Sequence, residues 1–303
     1  MKIVVLGATG MLGSMALDFL GKEEAFNVTG TARDDCSIKD MRTKIADVEW
    51  CCLDAQNCRI EDLQKILGGA SWAVNAIGII KPHIHDENPF EVERATRVNS
   101  LFPYLLAKAV EGSECRVAQI ATDCVYSGVK GNYVESDPHD PLDVYGKTKS
   151  LGEVFSPNFF NLRCSIIGPE RRGHLSLLDW FTGQKPNAIL NGYVNHSWNG
   201  VTTLHFAKLL SGIIRANLTL PHLQHIVPDD RVSKHELLHV FARFFKRDDI
   251  EIRPMKATNE VDRTLGTMNG SLNLRLWEAA GYSSPPTVSD MFQELAAYPY
   301  PFR

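Results

Sequence analysis

The sequence predicts an α/β protein: a doubly wound parallel sheet followed by a smaller α/β C-terminal lobe. Three observations carry this reading. Lys2-Ile-Val-Val-Leu6 is a short apolar, β-branched run that suits a strand buried on both faces. It runs directly into Gly7-Ala-Thr-Gly10-Met-Leu-Gly13 and then into the helical pattern Met15-Ala-Leu-Asp-Phe-Leu20. Apolar runs and helical patterns then alternate through the first half of the chain, the rhythm of right-handed strand–helix–strand crossovers.

Taken in order, strands are expected at 2–6, 26–31, 48–53, 72–77 and 115–121, and helices at 11–22, 59–67 and 89–111. A helix near 142–155 and a sixth strand over 159–167 complete this half. After Gly168-Pro169 the pattern breaks, and 169–198, mixed in Gly, Arg, His, Asn and Trp, reads as an excursion from the sheet. An amphipathic helix over 201–217 returns to it. The last third offers a strand at 224–227, a helix at 234–245, a strand at 250–253 and helices near 273–280 and 288–297. Residues 1–168 with the returning segment 199–218 are therefore expected to form the nucleotide-binding domain. Residues 169–198 and 219–303 would form the second, with a cleft between the two.

The bulk properties narrow the class. The 303 residues are 44% apolar and 22% charged, ordinary values for a globular chain. A formal net charge of −4 gives no electrostatic footprint for nucleic acid. No apolar run reaches membrane-spanning length. The start of the chain reads as a strand and not as a secretory leader, so a cytoplasmic location is expected. The seven cysteines are odd in number and contain no Cys-x-x-Cys pair, which indicates neither a disulfide framework nor a zinc site.

Strand, glycine turn and helix together present backbone N–H groups and a helix N-terminus to a phosphate. Gly7 would permit the tight turn, Gly10 the approach of a pyrophosphate, and Gly13 close helix–strand packing, with Thr9, Met11 and Leu12 lining the same loop. In such a sheet ligands bind at the carboxyl ends of the strands. After the second strand comes Arg33 with no acid at the strand tip, which favours a 2′-phosphate and so NADP(H), with NAD(H) second. Asp54 and Ala55 follow the third strand and could hold an adenine amino group. Asn75-Ala76-Ile77-Gly78 lets a cofactor lie against the backbone. Thr122 places a hydroxyl at the mouth of the fifth strand.

Tyr145 and Lys149 stand one helical turn apart on one face. There the ammonium can favour the phenolate and lower the phenol from its usual value of about 10 toward working pH, which makes the tyrosine a general acid or base.

Together these stretches resemble the extended short-chain dehydrogenase/reductase family, and within it the nucleotide-sugar ketoreductases. The likeness runs nearly the length of the chain. It is most specific at Gly7–Gly13, Thr122-Asp-Cys-Val-Tyr-Ser-Gly128, Tyr145-Gly-Lys-Thr-Lys149 and Leu162-Arg-Cys-Ser-Ile-Ile-Gly168. The resemblance implies a Rossmann-type cofactor domain and a C-terminal domain for a sugar nucleotide. It implies Tyr145 as proton donor, Lys149 as the residue that tunes it and holds the nicotinamide ribose, and Thr122 as the partner of the reacting oxygen. Asn99 matches the family's helix asparagine near the active site. Asp123 and Cys124 would line the substrate side, where Cys124 replaces the family's usual tyrosine. Lys81 and Arg263 are candidates for the substrate pyrophosphate, and Arg263 could equally pair with Asp262 or Glu260. The expected activity is NADPH-dependent reduction of a nucleotide-activated 4-keto-6-deoxy sugar. A nucleotide-sugar epimerase or dehydratase, or a non-catalytic NADP-binding regulatory subunit, stays open, as does a homodimer.

His235-Glu-Leu-Leu-His239 matches the short zinc-protease pattern, with Glu260 a conceivable third ligand. Its setting is an amphipathic helix with the apolar stripe Leu237, Leu238, Phe241 and Phe245, which reads as core packing behind a Ser233 cap. His83 and His85 read as loop residues.

Overall fold

The computed structural model describes residues 1–45 and 48–302. Its centre is a seven-stranded parallel sheet. The strands are β1 (Lys2–Leu6), β2 (Asn27–Ala32), β3 (Glu49–Cys52), β4 (Trp72–Asn75), β5 (Arg116–Thr122), β6 (Phe159–Cys164) and β7 (Leu223–His225). The spatial order is β7-β6-β5-β4-β1-β2-β3, so the chain winds outward from β1 in one direction and then from β4 in the other. The reversal lies between β1 and β4, which is where a doubly wound sheet opens a crevice at its carboxyl edge.

Alternation along β1 shows why the sheet is two-sided. Ile3 and Val5 face the core that holds Met15, Leu17 and Leu20 of the Met11–Gly21 helix. Val4 and Leu6 face a second core with Leu63, Leu67, Phe102 and Leu106 from the helices on the other face. All four strand residues are fully buried, which explains a continuous apolar run in place of an alternating one. Between β4 and β5 the polar contact Asn75 Nδ2 to Gln119 Oε1, at 2.6 Å, is buried but mutually satisfied.

The first core continues without a break into the C-terminal half. Phe206, Leu210 and Ile213 of the Thr203–Arg215 helix belong to it, as do Phe181, Phe241, Phe292 and Trp277. That helix connects Val201–Thr202, which pairs with Ile166–Ile167, to β7 at the sheet edge. The seventh strand is thus taken from the segment expected in the second lobe, and the boundary placed at 218 runs through the sheet. The expected strand at 224–227 is real, but its partner is β6.

The excursion after Gly168 is more structured than its composition suggests. Ile189–Tyr193 pairs in parallel with Glu251–Met255. His196–Trp198 pairs with Val232–Ser233 and with Val261–Asp262. A helix at Leu177–Thr182 and another at Asp35–Arg42 also went unpredicted. The long helix expected over 89–111 is three pieces: Pro89–Ala95, a π-helical stretch Thr96–Leu101, and Phe102–Ala109. No helix among the described residues is long and apolar enough to cross a membrane.

Candidate functional site

At the end of β1, Gly7 adopts φ +77°, a conformation that favours glycine, and donates its N–H to Thr31 Oγ1 at 3.0 Å. A Cβ on Gly13 would sit 2.1 Å from the Gly7 carbonyl oxygen, so the helix packs against the turn at a distance only glycine allows. Gly10 differs: a Cβ there would meet protein only at an ordinary 3.5 Å. Nothing inside the fold demands glycine at this position, and its absent side chain leaves the backbone open to an approach from outside. Gly10 also caps the Met11–Gly21 helix without a side-chain hydrogen bond, so the first-turn N–H groups of Met11, Leu12 and Gly13 face the mouth with no side-chain cap. A cradle of this kind fits a pyrophosphate.

Ile77 closes the other wall, since its Cγ1 lies 2.8 Å from where a Gly7 Cβ would stand. Ala76 and Gly78 flank it just beyond β4. Arg33 is exposed at the tip of β2. The next residue, Asp34, is the nearest acid to the tip, and its carboxylate is used as an N-cap. It accepts from the Ser37 N–H at 2.7 Å and from Ser37 Oγ at 3.1 Å, which holds its carboxyl below the usual range. Beyond β3, Asp54 accepts from Gln56 N–H and Asn57 Nδ2 within its own turn. Its Oδ atoms therefore organise that turn, with Ala55 beside it.

Beyond β5, Thr122 donates to Asp123 Oδ1 and accepts from Cys124 N–H, both at 3.2 Å. The Val144–Leu151 helix brings Tyr145 and Lys149 to the same strand end, capped by Asp143, whose Oδ1 accepts from Gly146 N–H at 2.8 Å. Gly146 permits this approach, because a Cβ would lie 2.3 Å from the Cys124 carbonyl. Burial raises the Tyr145 phenol, the nearby Cys124, Asp123 and Asp143 raise it further, and only the Thr122 hydroxyl pulls it down. The net shift is upward, opposite to the direction that the Tyr145/Lys149 spacing predicts, because desolvation dominates. Tyr145 therefore holds its proton at neutral pH. Burial also pulls Lys149 down to about 8, against an opposing pull from Glu153, while its Nζ donates to the Ile120 carbonyl at 2.8 Å.

Asn99 is 1% exposed and sits in the π-helical stretch. Its Oδ1 accepts from Ile79 N–H, and its Nδ2 donates to the Ile79 carbonyl and to Thr148 Oγ1. The side chain ties the loop after β4 to the helix of Tyr145 and Lys149, so its observed part is positioning. Such π stretches recur at functional sites, and here the extra residue carries Asn99 to that helix.

Lys81 forms a 2.6 Å ion pair with Asp143 Oδ2, and so buttresses the N-terminus of the same helix. Arg263 donates Nε to the Tyr126 carbonyl at 2.9 Å; burial raises the Asp123 carboxyl against the pull of the Arg263 charge, which also helps to hold Asp143 low. Asp262 instead has Arg231 at 3.8 Å. Cys124 is a half-buried thiol pushed up to about 12, principally by desolvation. Lys234, missed in the sequence, is a further cation here. It stands 5.7 Å from the Trp198 ring centroid, burial lowers it to about 8, and its charge opposes the rise of Asp123. Its position at the first turn of a helix gave no pattern to read.

The histidine motif is structural. Glu236 accepts from Ser233 N–H at 2.7 Å in a capping box, and the His235 and His239 rings meet edge to face 4.7 Å apart. Among the described residues no cluster of His, Cys, Asp and Glu could hold a metal. His85 pairs with Glu91 at 2.7 Å.

Residues 83–166, which carry Asn99, Thr122, Tyr145 and Lys149, match the family model "RmlD substrate binding domain". The chain is similar to dTDP-4-dehydrorhamnose reductases in sequence over part of its length and in fold over nearly all of it. It is 26% identical over 154 residues to dTDP-4-dehydrorhamnose reductase of Mycolicibacterium smegmatis, spanning 50% of this chain and 40% of that protein. It is also 26% identical over 152 residues to methionine adenosyltransferase 2 subunit beta of Rattus norvegicus, spanning 50% of this chain and 41% of that one. The matched stretches thus cover well under half of these relatives. Among solved structures, dTDP-4-dehydrorhamnose reductase from Bacillus anthracis in complex with NADP superimposes with a TM-score of 0.73 at 15% identity, over 97% of this chain and 98% of that one. UDP-glucuronic acid 4-epimerase from Bacillus cereus in complex with UDP-glucuronic acid and NAD gives 0.73 at 19% identity, over 98% of each. At these identities the structural likeness shows the fold alone.

Proposed function

We propose that this protein is an NADPH-dependent reductase of a nucleotide-activated 4-keto-6-deoxy sugar. The observation that carries the reading is the meeting of Thr122, Tyr145 and Lys149 at the end of β5, beside the uncapped glycine turn at the end of β1. The glycine cradle, Ala76–Gly78 and Arg33 would hold NADP(H), and the B. anthracis relative is described with NADP. NAD(H) is the second cofactor. The bound nicotinamide supplies the hydride for the keto carbon.

The chain's own groups then handle the proton. Thr122 Oγ1 steadies the carbonyl oxygen by hydrogen bonding as charge builds on it. Tyr145 transfers its O–H proton to that oxygen, a direction suited to a phenol kept protonated by burial. The Lys149 ammonium stabilises the phenolate left behind. Asp123, Cys124, Lys81 and Arg263 border the space for the sugar and its pyrophosphate. The seven-stranded sheet with its glycine turn would serve the cofactor, and the segments packed beyond its carboxyl edge the substrate, in a cytoplasmic enzyme.

Oxidation of NADPH by a panel of nucleotide 4-keto sugars, followed by absorbance, tests this. Turnover with one of them supports it. Tight NADPH binding without turnover of any favours a regulatory subunit, a reading that the match to methionine adenosyltransferase 2 subunit beta keeps in view.

A further inference from the structure

The turn that follows β6 and Ile166–Ile167 is folded by its own side chains. Glu170 Oε2 accepts from Leu175 N–H at 2.6 Å, and Asp179 Oδ2 accepts from Glu170 N–H at 2.9 Å and lies 2.9 Å from His174 Nδ1. Gly173 at φ +93° and His174 at φ +53° reverse the chain. The turn projects two consecutive arginines back across the cofactor half, although they are remote from it in sequence.

Arg171 is only 5% exposed. Its Nε points at the Thr9 carbonyl in the glycine turn, 3.5 Å away, and its Nη1 is ion-paired with Asp40. Arg172, 61% exposed, reaches the same Asp40 oxygen at 3.3 Å. Asp40 lies in the Asp35–Arg42 helix, which begins immediately after Arg33 and its capping neighbour Asp34. Arg172 is also close enough to Asp34 to lower its carboxyl. Two guanidinium groups therefore share one carboxylate on the helix that follows β2, on the side of the sheet where the ribose end of a dinucleotide lies in this fold. A guanidinium fork matches a phosphate as well as it matches a carboxylate.

We infer that Arg171 and Arg172 complete the cofactor site from the far side, binding the 2′-phosphate of NADP(H) in exchange for Asp40. This rests on the cofactor reading above and adds to it. Arg33 contributes from the strand, the 171–172 turn closes over it, and Asp40 is the internal anion that holds the turn in place before the phosphate arrives. Charge alone then selects the phosphorylated cofactor, because NAD(H) offers nothing to displace Asp40.

Equilibrium titration of the full-length protein with NADPH and NADH, read by calorimetry, tests the exchange without relying on turnover. Arg172→Gln, at an exposed position, should weaken NADPH by roughly tenfold and leave NADH unchanged. Arg171→Met should do the same, with Arg171→Lys partly restoring NADPH and showing that the fold survives. Asp40→Asn should tighten NADPH alone, a gain that loss of folding cannot imitate. Equal weakening of both cofactors would move the arginines to the pyrophosphate and overturn the inference. Unchanged NADPH affinity in the arginine variants would overturn it while leaving the NADPH reading intact. A wild-type protein that binds neither nucleotide would sink both.

Discussion

Lys149 Nζ donates to the carbonyl oxygen of Ile120 at 2.8 Å, two residues before Thr122 on the same strand. One strand end thus fixes the ammonium and presents the hydroxyl, so a shift of β5 moves both together. Because the lysine is 7% exposed and burial lowers it to about 8, its charge is decided close to physiological pH.

That places a limb on the pH profile. If the ammonium supports the Tyr145 phenolate, kcat/KM should fall as pH rises through about 8. Lys149→Arg, always charged, should shift or remove the limb. Lys234 is lowered to a similar value, so a limb unaffected by Lys149→Arg would belong to Lys234. Stability changes in the opposite sense. Between about 8 and the unfolded value of about 10.4, the unfolded chain holds a proton that native Lys149 has released, so stability rises with pH across that window. Thermal melts of Lys149→Met should show a shallower rise there than wild type, and identical slopes would count against the assignment.

Tyr145→Phe should leave NADPH binding intact and lower turnover by roughly 10²–10⁴, the contribution of one positioned proton donor. Single-turnover kinetics at saturating cofactor measure it. A variant near wild type would remove Tyr145 from the reaction.

The parts that were legible in the sequence are those whose physics is local. The run Lys2–Leu6 into the glycine turn needed only burial and φ to be read, and Tyr145 with Lys149 only helical spacing. The missed strands Ile189–Tyr193 and His196–Trp198 are short, and their partners stand at Glu251–Met255, Val232–Ser233 and Val261–Asp262, so pairing and not periodicity defines them. Arg171 acquires its place through a turn built by Glu170 and Asp179, within a stretch whose composition marks only irregularity. Asn99 could be named from the resemblance, but the π-helical turn that aims it has no signal in residue pattern. The upward shift of Tyr145 is not legible in the sequence, because spacing reveals a charge nearby and not the desolvation that outweighs it.

Arg33→Ala tests the strand side of the cofactor site. Loss of a charge-assisted contact to a 2′-phosphate should cost about 1.5–3 kcal/mol of NADPH binding and leave NADH nearly unchanged. The nearest acid, Asp34, is engaged as a helix cap, so the variant should not convert the protein to an NADH binder. Equal loss for both nucleotides, or a native preference for NADH, would refute the assignment.

Arg263→Ala tests the substrate side. The guanidinium is held to the Tyr126 carbonyl and faces Asp123, and Asp262 is nearer to Arg231. If Arg263 also grips the substrate pyrophosphate, the contact is equal in ground and transition states. KM for the sugar nucleotide should then rise far more than kcat falls. An unchanged KM would reduce Arg263 to a strut for the Tyr126 segment.

Behind the site, Arg163 is fully buried and bonded to Glu153 through Nε at 3.0 Å and Nη2 at 2.5 Å. Its remaining donors meet Tyr126 Oη at 2.5 Å, His225 Nε2 at 2.8 Å and His139 Nε2 at 2.7 Å. The cluster ties β6 to β7 and to the segment that leads into the Tyr145 helix, so it sets the floor on which the site rests. Arg163→Met would strand a buried carboxylate, and such a break typically costs about 3–5 kcal/mol. Replacing both charges, as Arg163→Met with Glu153→Leu, removes the stranded ion and should recover part of that loss, less the hydrogen bonds forfeited by Tyr126 and the two histidines. Denaturant unfolding of the two single variants and the double variant measures the coupling. Strictly additive losses would mean that the pair is not the electrostatic unit its geometry describes.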